Sequence, residues 1–85
     1  MDSIRLTIRK KVREHIFHEL ITNTNKISDE SLIFREGFID SMGFIMMLTF
    51  IDETFGIKVN DEDLVEENFE SINAITEFIF RKAHK

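Results

Sequence analysis

Apolar residues recur at helical spacing in three separate stretches of this 85-residue chain, and no proline interrupts any of them. Ile4, Ile8, Val12, Ile16 and Leu20 return every fourth residue, with Phe17 widening the stripe, which predicts an amphipathic helix over residues 3–21. Ser3 is placed to cap it, and the short polar side chains of Thr22-Asn23-Thr24-Asn25 compete for backbone hydrogen bonds and end it. Over residues 41–55 a helical wheel gathers Phe44, Met47, Leu48, Ile51 and Phe55 on one face. Met42, Met46, Thr49 and Glu53 fall opposite, with Ile45 between them. Gly56 stands where a glycine closes a helix. Ser71 caps a last helix whose Ile72, Ile75, Phe78 and Ile79 face inward.

Two pieces join these stretches. Asn60 with Asp63 three positions on reads as a capped turn opening a brief helix over residues 61–67, after an extended Ile57-Lys58-Val59 too short to build a sheet. Residues 22–40 form one long connection, which Leu32, Ile33, Phe34, Phe38 and Ile39 give much to bury; a loop of that length in a compact domain is usually functional. The expected fold is therefore all-α: a small four-helix bundle with a long first loop and a short third helix, one domain over residues 1–85.

Size and charge narrow the function. A single small domain has little room to enclose a deep catalytic cleft. Without cysteine there is neither a disulfide framework nor a thiolate metal site. No apolar run approaches the ~20 residues that span a bilayer. Met1-Asp2-Ser3-Ile4-Arg5 leads straight into a charged helix pattern rather than a signal peptide, so the expected location is cytoplasmic. Residues 27–70 set Arg35 and Lys58 against twelve Asp and Glu. An acidic middle of that strength repels nucleic-acid phosphates and suits partners with basic surfaces; the plainer account is that it keeps a small domain soluble. Asp61, Glu62, Asp63, Glu66, Glu67 and Glu70 cluster without the glycine or glutamate spacing of a calcium loop. His15 and His18 share a helix with no third ligand nearby, and Ser41 lacks a nucleophile-elbow motif, so neither a metal centre nor a serine hydrolase is expected. Phe17, Phe34, Phe38, Phe44, Phe55, Phe69 and Phe78 are most simply core.

Asp40-Ser41-Met42 stands at the mouth of the second helix, where a serine hydroxyl can be held in solvent with an acid beside it. From the residues alone, Ser41 is either the N-cap or the first helical residue, and Asp40 is itself a good cap. With Gly37-Phe38-Ile39 before it and Phe55-Gly56-Ile57 one helix later, this stretch resembles the acyl carrier protein family, whose motif is Asp-Ser-Leu or Asp-Ser-Met, a helix, then Phe-Gly-Ile. The resemblance runs over roughly Leu32 to Phe80.

That resemblance implies a non-enzymatic carrier. It implies a 4′-phosphopantetheine taken from coenzyme A and joined to Ser41 through a phosphodiester, with Asp40 orienting the serine and contacting the modifying enzyme. The thiol of that arm would hold an acyl or aminoacyl group as a thioester. Implied partners are a phosphopantetheinyl transferase, an adenylate-forming ligase or acyltransferase, and downstream enzymes acting on the cargo. They would dock on the exposed face of the second helix, here Met42, Met46, Thr49, Asp52 and Glu53. Fatty acid carriers usually show an acid where this chain has Met46, which argues against the housekeeping role. Asp40-Ser41-Met42-Gly43 is similar to D-alanyl carriers, whereas Asp63 to Phe69 with Ser71-Ile72 is more similar to stand-alone carriers served by acyl- or amino-acid-activating ligases, the reading preferred here. A free-standing monomer is expected. The alternative is an unmodified helical adaptor with the same fold.

Overall fold

The computed structural model describes residues 3–16, 30, 32–33 and 40–83. Four α-helices lie among them: α1 (Ser3–His15), α2 (Ser41–Phe55), α3 (Glu66–Phe69) and α4 (Ile72–Ala83), with a 3-10 turn at Asp61–Asp63 before α3. The helical bundle expected from the sequence is the fold. Residues 17–29, 31 and 34–39, which carry most of the expected long loop, the Thr22–Asn25 stop and His18, lie outside the described residues.

α1 buries Ile8 and Val12, and Ile16 just beyond it is buried too, but Ile4 is 51% exposed. A four-residue repeat advances about 40° per step around a helix of 3.6 residues per turn, so a stripe centred on Val12 rotates off the core by Ile4. Ser3, expected as a cap, is itself helical, and its carbonyl accepts the Thr7 hydroxyl at 2.9 Å. α1 packs along α4, where the Arg5 guanidinium pairs with Glu77 at 2.8 Å and lies 3.9 Å from the Phe80 ring centroid.

α2 buries Gly43, Met47 and Ile51, with Phe44, Leu48 and Phe55 half-buried against the same core, as the wheel predicts. Phe50 was not on the predicted core face; it packs there too, stacked on the His15 ring at 4.1 Å and 11°. Gly56 closes α2 with φ +67°, its N–H donating to the Asp52 carbonyl at 2.9 Å. A Cβ at Gly56 would meet nothing within 4 Å, so Gly56→Ala should cost only the left-handed backbone penalty. The expected loss is about 1 kcal/mol in urea unfolding; an unchanged midpoint would show that α2 ends another way.

α4 is the axis of the core. Ile72, Ile75, Phe78 and Ile79 are buried as expected, and so is Thr76, whose hydroxyl donates to the Ile72 carbonyl at 2.8 Å and is thereby satisfied away from water. Ser71 caps the helix: its Oγ accepts the Ala74 N–H at 3.1 Å. The buried Ile33 donates its N–H to the Glu70 carbonyl at 3.0 Å, which ties the connection before α2 to the α3–α4 corner.

The expected helix over 61–67 is instead two short pieces. Asn60 and Asp63 do form the predicted turn, the Asn60 N–H donating to Asp63 Oδ2 at 3.0 Å and the Asp63 N–H to the Asn60 carbonyl at 2.9 Å. Leu64 then leaves helical geometry and Val65 is extended at φ −120°, ψ 150°. Asp63 pairs with Lys82 on α4 at 2.9 Å, and the β-branched Val65 favours the extended backbone that follows.

Candidate functional site

The start of α2 divides two duties between adjacent residues. Asp40 holds an extended backbone (φ −97°, ψ −172°), and its Oδ1 accepts the Gly43 N–H at 2.9 Å while its carbonyl accepts the Phe44 N–H at 3.0 Å. It is the N-cap. Ser41 is the first helical residue and is exposed. The alternatives left open by the sequence resolve in that way, and the Ser41 hydroxyl is not the group that caps the helix. The N–H groups of Ser41 and Met42 belong to the first turn, where no intrahelical acceptor exists. Their positive end of the helix sits beside the serine, partly offset by the Asp40 carboxylate.

Beside Ser41 opens a groove of about 530 Å³ lined by Asp40, Ser41, Phe44, Leu64, Val65, Glu66 and Phe69. Its floor is aromatic: Phe44 meets Phe69 edge-on at 5.2 Å, and the buried Phe69 in turn packs on Phe78 at 5.1 Å. Its far wall is Leu64 and Val65, 44% and 45% exposed. Among the described residues its lining carries two carboxylates, Asp40 and Glu66. Such a surface accepts an apolar chain from a point of attachment at Ser41 and leaves polar groups near the mouth. Sequence reasoning missed this groove because it placed Leu64 and Val65 inside a helix; the available signal was an apolar pair in the midst of an acidic run.

The outward face of α2 carries the predicted Met42, Met46, Thr49, Asp52 and Glu53, all exposed, together with Ile45. Met42 and Ile45 are 63% and 56% exposed, so this face offers a contiguous apolar strip flanked by two acids. The Thr49 hydroxyl bonds back to the Ile45 carbonyl at 3.3 Å. Asp61, Glu62, Glu66 and Glu67 are exposed, and together they give this end of the molecule an acidic field that suits a basic partner; Asp63 of the same cluster pairs with Lys82. Among the described residues no three His, Asp or Glu gather as a metal-binding group, and no helix is long and apolar enough to cross a membrane.

Residues 10–79 match the family model described as a phosphopantetheine attachment site. The acyl carrier protein of Buchnera aphidicola subsp. Baizongia pistaciae (strain Bp) is 31% identical over 72 residues, spanning 85% of this chain and 90% of that protein.

Proposed function

The chain belongs to the phosphopantetheine attachment site family, and we propose that Ser41 is its point of attachment. It is a carrier protein rather than an enzyme, and its cofactor is a covalently attached 4′-phosphopantetheine. The observation that carries the assignment is the division of labour at the start of α2: Asp40 caps, so the exposed Ser41 hydroxyl is left for chemistry.

The residues present fit the group. A phosphodiester on Ser41 would lie at the positive end of α2, beside N–H donors that lack helical acceptors. Asp40, fixed by Gly43, holds the serine's backbone in place and presents its second carboxylate oxygen to a basic transferase surface. When bound, the group supplies a thiol on a flexible arm, on which an acyl or aminoacyl cargo is held as a thioester. Phe44, Leu64, Val65 and Phe69 would shelter the apolar part of that cargo, and Asp40 and Glu66 would keep its polar end at the rim.

Partners would dock on Met42, Ile45 and Met46, with Asp52, Glu53 and Thr49 at the edge. Unbranched Met side chains adapt to an apolar counterface. The loading partner is then an adenylate-forming acyl or aminoacyl ligase whose docking surface is apolar at the centre and basic around it. The experiment is loading of the arm-bearing protein by such a ligase, followed by intact mass. Met46→Glu should still accept the arm, yet load with an apparent Kd raised about tenfold or more, because a carboxylate must be desolvated in an apolar contact. Unchanged loading would remove Met46 from the interface.

A further inference from the structure

The wall of the Ser41 groove is held from behind, by α4. The short α3 packs on α4, and polar ties from two residues of the segment 60–69 reach two adjacent cations of its last turn. Lys82 Nζ donates to Asp63 Oδ2 at 2.9 Å, with both side chains largely out of water at 17% and 16% exposure. Arg81 Nη2 donates to Asn68 Oδ1 at 2.8 Å. Asn68 in turn donates through Nδ2 to the Asp63 carbonyl at 2.8 Å, closing the two contacts into one brace. Leu64 and Val65, the exposed apolar wall, lie between the two braced residues. The brace also opposes a local repulsion. Asp61, Glu62, Asp63, Glu66, Glu67 and Glu70 crowd into ten residues, and without compensating cations like charges at this density push the segment outward.

We propose that Lys82 and Arg81 are positioning residues for the groove: by bracing Asp63 and Asn68 they fix where Leu64 and Val65 stand, which, on the reading of Ser41 as the attachment point, sets how closely the tethered cargo is sheltered. Neither cation lines the groove, so their effect is transmitted through the segment they hold.

The test is site-resolved amide hydrogen exchange on the arm-free protein. Lys82→Met keeps the apolar stem and removes the charge. Exchange at Leu64–Phe69 should accelerate roughly tenfold or more, because the largely desolvated Asp63 carboxylate loses its cation and the tie to α4 goes with it, while the amides of Val12 and Ile51 change by less than about twofold. Lys82→Arg should retain most of the protection. Asp63→Asn should mimic Lys82→Met, and the double variant should be no worse than either single one, as expected for two members of one contact. Unaltered exchange at 64–69 would overturn the proposal. So would uniform acceleration through all the described helices, which would make the pair a contributor to global stability alone. A second readout separates this from the reading of Ser41. With an acyl group tethered, cleavage of its thioester by hydroxylamine should be faster in Lys82→Met. Faster exchange at 64–69 with unchanged cleavage upholds the brace and removes the groove as the cargo's shelter.

Discussion

Ser41→Ala should fold as the parent does and never acquire the arm. The hydroxyl is exposed, the cap belongs to Asp40, and alanine is at least as good a helix former as serine at that position. The expected change in unfolding free energy is within about 0.5 kcal/mol, the range of surface substitutions that break no named contact. Against that, the loss of modification should be complete, because the phosphodiester has no other oxygen to form on at this position. Circular dichroism and urea unfolding read the first half, and intact mass after incubation with coenzyme A and a phosphopantetheinyl transferase reads the second. An unfolded variant would make Ser41 a structural residue; a variant that still gains the arm would move the site elsewhere.

Phe69→Ala should produce the largest loss of stability among the groove residues. Phe69 is 3% exposed and joins two aromatic contacts, edge-on to Phe44 and tilted on Phe78, so one ring links α2, α3 and α4. Truncation removes the transfer free energy of the ring and leaves a cavity that the short α3 cannot collapse to fill, for an expected cost of about 3–5 kcal/mol. Set against the ~5–15 kcal/mol that holds a typical domain, such a loss approaches global unfolding. Phe69→Leu, which keeps most of the volume, should cost less than half as much. A loss below about 1 kcal/mol for the alanine variant would mean that the aromatic floor is not part of the cooperative core.

The helices were legible because their information is local. The stripes of α2 and α4, the Gly56 stop and the Ser71 cap each need only neighbours within a turn or two, and each appears as read. Ile4 shows the limit of a repeat counted in whole residues: four is close to a helical turn, but the error accumulates until the side chain leaves the core. The split of the third helix was not legible, since it is governed by Asp63 and Lys82, which meet across 19 residues of sequence. The groove beside Ser41 depends on the same contact, because Leu64 and Val65 become a wall only once the segment is held away from helical geometry. Ser41, by contrast, was singled out by its short motif, and geometry added what the motif lacks: which of Asp40 and Ser41 caps the helix.

The proposed place of the arm is Ser41, one of several serines in the chain. Its most direct test is fragmentation mass spectrometry of the wild-type protein after treatment with coenzyme A and a promiscuous transferase. A single phosphopantetheine located on Ser41, with Ser3 and Ser71 unmodified, is the predicted result. The arm on any other residue, or no gain of mass by the folded protein, would contradict it.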